Sequence, residues 1–258
     1  MSDNNTDSFG KGFNTALIGR KVYYYPSVTS TNSTARKLAQ EGETEGSVVI
    51  AETQSAGKGR LARTWLTPKG NLAVSIILKP TLEQLSQIIM VTSLSIVRAI
   101  KNTCGINAQI KWPNDVLING KKVCGILVES EVKKKEVNYA IIGIGINVNF
   151  DPSSFPDIAL LATSLSYETG KQVSLVELCS AVFIEMEELY LKIKTGIRIH
   201  DDWQKHMETI GRQIQVKSGS TVEKGIAESV TETGSLLLRR QDGSLIEIMA
   251  GDVSVIKN

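Results

Sequence analysis

The sequence predicts an α+β chain: a mixed or antiparallel β-sheet with helices, followed by a small β-barrel at the C-terminus. Three observations carry that expectation. Between residues 108 and 150, strand-like runs follow one another with no helix between them, unlike a doubly wound parallel sheet. From Leu82 to Cys104, apolar residues fall nearly all round, as in a well-buried helix. After Trp203, short runs are split by "SGS", "TETGS" and "QDGS", the pattern of a barrel of about five strands beginning near residue 211.

The elements follow in order. Residues 1–18 begin "MSDNNTDSFGKGFNT", polar enough to predict a flexible tail. "KVYYYPSV" is a strand running into a turn, and "STNSTARKLAQEG" is a helix with Ser, Thr and Asn at its start and Gly42 at its end. "SVVIAETQ" and "NLAVSIILKP" are strands. Leu82–Cys104 is one long helix, or two with a single break, stopped by Gly105. "AQIKW", "DVLI", "VCGILVESEV" and "VNYAIIGIGINVNF" are strands, with a hairpin turn at Asn119-Gly120. "SLVELCSAVFIEMEELYLKI" opens on a capping box from Ser174 to Glu177 and runs as a helix to about Lys194. This division gives a tail (1–18), a main domain (19–208) and a C-terminal domain (209–258).

The formal net charge of +2 provides no bulk field for DNA or a membrane surface, so any cationic site must be local. Three scattered cysteines, Cys104, Cys124 and Cys179, read as reduced thiols in a cytoplasmic protein. His200 and His206 are the only histidines, which leaves little material for zinc hydrolase or Ser-His-Asp chemistry. The N-terminus has no apolar h-region, and no apolar run reaches about 18 residues, so neither a signal peptide nor a membrane helix is expected.

The local site is the loop "ETQSAGKGRLARTWLTPKG" at 52–70. Gly57 and Gly59 bracket Lys58, and Arg60 and Arg63 follow. Bare glycine lets backbone amides approach an anion, and each cation can add a charge-assisted hydrogen bond of about 1.5–3 kcal/mol. A Walker loop is excluded because Gly59, not Ser or Thr, follows Lys58. A dinucleotide fingerprint is disfavoured because "RTWLTPKG" has no helical period.

Other segments carry chemistry too. In "KWPNDVLI", Lys111 and Asp115 flank Trp112-Pro113-Asn114, a stiff turn that can aim both charges, and Asp115 beside phosphate could hold Mg²⁺. Lys122 could reach a carboxylate or phosphate. Strict alternation puts it on the opposite face from Gly125, so both line one pocket only if a bulge breaks parity. Cys124 reads as a small buried side chain. In residues 139–150, Ala140, Ile142, Ile144, Ile146 and Val148 form one face, and Tyr139, Ile141, Gly143, Gly145 and Asn147 the other. Two glycines in mid-strand require something packed on bare backbone: a flat ligand or a close helix.

Taken in order, "STN" (30–32), "ETQSAGKGRLARTW" (52–65), "KWPNDVLI" (111–118), "KKVCGILVE" (121–129) and "GIGINVN" (143–149) resemble biotin protein ligase. The likeness runs from about residue 18 to the C-terminus. Lys58 stands where that family usually has arginine. The chain has no room for the winged helix that binds DNA in many members, so the resemblance is to the form without a repressor role.

The resemblance implies a class II aminoacyl-tRNA synthetase-like mixed sheet with an SH3-like C-terminal barrel. It implies that biotin and Mg-ATP form biotinyl-5′-adenylate, and that a lysine of a biotin carboxyl carrier protein then takes the biotinyl group. By the same analogy, Ser30, Thr31, Asn32 and Gln54 hold the ureido ring, and Gly57, Lys58, Gly125 and Gly143 line its pocket. Arg60 and Lys122 bridge carboxylate and phosphate. Arg63, Lys111, Asn114 and Asp115 serve the ATP phosphates and Mg²⁺. Ile146 and Asn147 face adenine, and Trp65 supports the closed loop. A lipoate or octanoate ligase shares this general fold, and a non-catalytic binding module is the rival from another class. An exposed sheet edge could pair two chains as a homodimer.

Overall fold

The computed structural model describes residue 9 and residues 13–256. Its main sheet contains β1 (Val22–Val28), β2 (Val48–Gln54), β3 (Leu72–Leu78), β4 (Gln109–Lys111), β5 (Asp115–Ile118), β6 (Lys121–Lys133) and β7 (Glu136–Ile146). The spatial order is β1-β2-β3-β7-β6-β5-β4. Only β1 and β2 run parallel; every other pair is antiparallel, so the sheet is mixed as expected. Pro26 interrupts β1 without harm because β1 is an edge strand.

The helices are α1 (Thr31–Gln40), α2 (Leu82–Cys104), α3 (Leu165–Thr169), α4 (Leu175–Lys194) and α5 (His200–Lys205). The two faces of β7 separate as its alternation requires. Ala140, Ile142, Ile144 and Ile146 join the large core with Leu94 and Ile96 of α2 and Phe183 and Met186 of α4. Tyr139 and Ile141 join a smaller cluster with Ala35 and Ala39 of α1. α1 therefore covers one end of the second face, and the glycines Gly143 and Gly145 lie beyond its apolar side.

α2 is unbroken, and it ends with Gly105 in the left-handed region, φ 75°. A full capping box forms at its start, between Thr81 and Gln84, where the sequence reading placed none. At α4 the expected box is half present: Ser174 Oγ accepts from Glu177 N at 3.3 Å. Thr81→Ala should cost about 1 kcal/mol. A thermal melt should then shift by about 2–4 °C, the scale for a chain of this size.

The N-terminal segment departs from the predicted flexible tail. Phe9 is buried, and Phe13 packs edge-on against Phe183 at 4.8 Å. Glu187 accepts hydrogen bonds from the backbone N–H groups of Ala16, Leu17 and Ile18 at 2.7, 2.6 and 2.8 Å. Apolar side chains among polar ones, with the backbone bonds to Glu187, dock the segment on α4. The rest of the tail lies outside the described residues.

The C-terminal unit is an antiparallel sheet of β8 (Gln213–Ser218), β9 (Thr221–Val230), β10 (Leu236–Arg239), β11 (Leu245–Ile248) and β12 (Asp252–Val255), in the order β11-β10-β9-β8-β12. Trp112 fastens it to the main sheet. Its indole Nε1 donates to Gly234 O at 2.9 Å, and its backbone N–H donates to Thr209 Oγ1 at 3.0 Å. The Trp112–Pro113 peptide is cis.

Candidate active site

One cavity opens between the second face of the main sheet, the N-terminus of α1, the 55–66 loop and the edge of the C-terminal sheet. Most of the predicted site residues meet there: Ser30, Thr31, Asn32, Gln54, Lys58, Arg60, Arg63, Trp65, Asn114, Asp115, Lys122, Gly125 and Gly143 all line it.

One end of the cavity is polar, with Ser30, Thr31 and Asn32 buried and Gln54 half-buried. Ser30 caps α1 by position, but its side chain makes no capping hydrogen bond. Gln54 Oε1 accepts from Thr31 N at 2.8 Å and lies 3.1 Å from Thr31 Oγ1; Gln54 Nε2 donates to Thr67 Oγ1 at 2.9 Å. The Gln54 amide is thereby fixed in orientation, because a backbone N–H can only donate.

The other end is cationic. Arg60 Nη1 donates to Asn114 Oδ1 at 2.7 Å, and its Nη2 donates to Gly251 O at 3.3 Å. Asn114 is itself pinned, since its Nδ2 donates to Ile126 O at 2.8 Å. Arg63 is ion-paired with Asp252 of β12, and Lys58 Nζ donates to Ser33 Oγ at 3.0 Å. Lys122 Nζ lies 2.6 Å from Asp115 Oδ1, in ion-pair contact but outside hydrogen-bond geometry. The loop carries strain at its tip, where Leu61 and Ala62 both have positive φ, 53° and 58°.

Lys122 and Gly125 do share the cavity. The pairing of β5 with β6 shifts register between Val116↔Cys124 and Leu117↔Lys122, so Val123 is an extra, unpaired residue. This bulge reverses the parity that separated them, and Lys122 Nζ comes within 3.1 Å of where a Cβ on Gly125 would sit.

The glycine floor holds the protein's own side chains. A Cβ at Gly143 would lie 2.2 Å from Asn32 Oδ1, and one at Gly145 would lie 2.3 Å from the Trp65 indole. α1 is the close helix over Gly143, and Trp65 takes the place over Gly145, with Lys122 Nζ 5.4 Å from its ring centroid. Trp65 Nε1 is buried and has no acceptor among the described residues, so contact rather than hydrogen bonding holds the indole.

Four predicted residues are not brought to this cavity. Gly57 lines a second groove behind the loop, with Leu127 and Glu129. Lys111 sits opposite Asp115 in the β4–β5 pair and does not line the cavity. Ile146 is buried in the large core, on the face its parity dictates. Asn147 is buried and committed: its Oδ1 accepts from Asn71 Nδ2 at 3.3 Å and its Nδ2 donates to Lys122 O at 3.5 Å. Its amide ties the end of β7 to β6 instead of facing the cavity. Sequence reading missed Ser75, Thr67, Asp252 and Glu129. Ser75 carried a signal: a lone hydroxyl inside the apolar run "LAVSIIL".

Cys124 is fully buried, and burial pushes its thiol pKa well above the ordinary value; Cys179 is shifted the same way. Titration of the native protein with a thiol reagent should therefore modify Cys104 alone, and the other two thiols should react only after denaturation.

Among the described residues no helix is long and apolar enough to cross a membrane. A model described as the biotin/lipoate A/B protein ligase family matches residues 24–147, and one described as the biotin protein ligase C terminal domain matches residues 209–255. The bifunctional ligase/repressor BirA of Bacillus subtilis is 34% identical over 250 residues, covering 95% of this chain and 77% of that protein. The biotin–[acetyl-CoA-carboxylase] ligase of Paracoccus denitrificans is 34% identical over 227 residues, covering 83% of this chain and 92% of that protein. The solved biotin protein ligase from Aquifex aeolicus in complex with biotin and ATP superposes with a TM-score of 0.78 at 30% identity, covering 93% of this chain and all of that one.

Proposed function

The chain belongs to the biotin protein ligase family and carries out ATP-dependent biotin ligation, and we propose that the cavity described above is where biotinyl-5′-AMP forms. One observation carries that reading: a single cavity has a polar, hydrogen-bonding end at Thr31 and Gln54, and a cationic end at Arg60, Arg63 and Lys122. Biotin is itself two-ended, a urea at one end and a carboxylate at the other.

The ureido ring sits at Thr31 and Gln54, which directs the valeryl carboxylate toward Arg60 and Lys122. Attack of that carboxylate on the α-phosphate brings two anions together, and the cations offset their repulsion as pyrophosphate departs. Arg63 and Lys58 ride on the loop and close over the adenylate, keeping water from the mixed anhydride. Asp115 is one carboxylate already neutralised by Lys122. That suits a Mg²⁺ arriving on the nucleotide with its own waters better than a protein-built metal cage. The acceptor is a lysine of a biotin carboxyl carrier protein, whose amine takes the biotinyl group and releases AMP.

The polar end also decides between biotin and lipoate. An alkyl or dithiolane end would press apolar surface against the polar Thr31 and Gln54 groups and offer them no hydrogen bond, whereas a cyclic urea carries both donors and acceptors to that end. The test is incubation with labelled biotin and ATP, followed by recovery of a protein-bound adenylate. Adenylate from biotin but not from lipoate is the expected result. Adenylate from lipoate alone would reverse the assignment.

A further inference from the structure

We infer that Lys58 is a self-modification site: with no carrier amine present, its side chain takes the biotinyl group from the adenylate formed in its own cavity. This rests on the biotin-adenylate reading of the cavity and extends it to a covalent product on this chain.

Among the described residues, Lys58 and Lys122 are the two lysines that line the cavity. Lys122 is committed to Asp115 in an ion pair, as an ammonium with no lone pair to attack with. Lys58 has no carboxylate partner among the described residues. Its Nζ donates to a neutral hydroxyl, Ser33 Oγ, at 3.0 Å, in an exposed contact.

The backbone beneath this amine is fixed. Trp65 N–H donates to Gly57 O at 2.9 Å, Gly59 N–H donates to Arg63 O at 2.7 Å, and Lys58 bridges Thr64 between them. The loop therefore holds the Lys58 Cα at the cavity wall, and a flexible stem of about 6 Å carries the amine. Lys58 lines the groove behind the loop as well, so open space adjoins its side chain on both sides of the loop. Leaving Ser33 and turning along the wall toward Arg60 costs one exposed hydrogen bond.

Closure protects a mixed anhydride by keeping water out. It does not exclude an amine that the lid itself carries. A tethered nucleophile reacts at an effective concentration that a dissolved one does not reach. The step balances. The neutral Lys58 amine attacks the biotinyl carbonyl carbon, the C–N amide bond forms, and the C–O bond to phosphate breaks. AMP leaves with that electron pair, and the proton lost by nitrogen passes to solvent. An arginine at this position would stay a guanidinium and form no such amide.

The test incubates the whole chain with labelled biotin and Mg-ATP, without carrier. Peptides are then mapped after denaturation in hydroxylamine, which cleaves an acyl phosphate and leaves an amide. The label should concentrate on the peptide containing Lys58. Its rate should be unchanged over about 100-fold dilution of the protein, as for an intramolecular step. In Lys58→Arg, the label per adenylate formed should fall at least about 5-fold. Ser33→Ala, which unties the amine, should raise it about 2-fold or more. Label spread over many exposed lysines, slowing on dilution and unchanged in Lys58→Arg, overturns the inference, because it marks adenylate released into solution. Adenylate without any amide label overturns it too and leaves the biotin reading standing. Absence of adenylate overturns both.

Discussion

Arg60→Ala should lower adenylate formation by about 10²-fold or more, the loss typical of removing one transition-state donor. Arg60 is the point where three parts of the chain meet. It rides on the loop, its Nη1 is held by Asn114 from the β4–β5 turn, and its Nη2 reaches Gly251 O beside β12. A planar guanidinium held at two corners is already oriented when charge develops between carboxylate and phosphate. Truncation removes the charge and also the Gly251 tie, leaving the Arg63–Asp252 pair to hold the loop to the C-terminal unit. Biotin-dependent pyrophosphate release measures the effect. Arg60→Lys should recover only part of the rate, because a point charge cannot reproduce the fork. A rate near wild type for Arg60→Ala would leave the arginine as a structural tie.

Lys122→Ala should be comparably severe, about 10²-fold in the same assay. Here a second effect adds to the lost cation. Asp115 is half-buried with its Oδ1 2.6 Å from Lys122 Nζ, and without the lysine it faces the cavity as an unpaired carboxylate. That charge would oppose any incoming carboxylate or phosphate. The double variant Lys122→Ala/Asp115→Asn therefore separates two roles for Asp115. If Asp115 only balances Lys122, the double variant should recover at least a few-fold over Lys122→Ala, because like-charge repulsion is gone. If Asp115 also holds Mg²⁺, the double variant should be as slow as the single one or slower.

The fold was legible because its signals are local. The alternation of residues 139–150 sorted Ile142 and Ile144 into one layer and Tyr139 and Ile141 into another, and the structure keeps that sorting. Asn119-Gly120 sits between β5 and β6 as a turn with both φ values positive, which the pair of residues itself requires. Arg60 and Lys122 stood out because charge and glycine cluster around them in sequence, whereas Thr31 and Asn114 were named through the family resemblance. Asn147 does not line the cavity, for the opposite reason. Asn147 follows the last residue of β7, and nothing nearby announced that Asn71, just before β3, would bond its amide. The docked N-terminal segment failed in the same way, since Glu187 lies far along the chain from the amides it binds.

By itself, the order of residues determined the periodicities, the turns, the caps and the chemical inventory of the loop, because these depend on neighbours within a few positions. Only the tertiary structure decided which of those groups share a cavity. One extra residue in β6 reversed a parity and brought Lys122 to Gly125. A contact across the two sheets brought Asp252 to Arg63. A buried serine of β3, Ser75, came to lie against both Thr31 and Asn32 of α1. Strand register and side-chain hydrogen-bond polarity are set by partners distant in sequence, and a short stretch of chain carries no record of who those partners are.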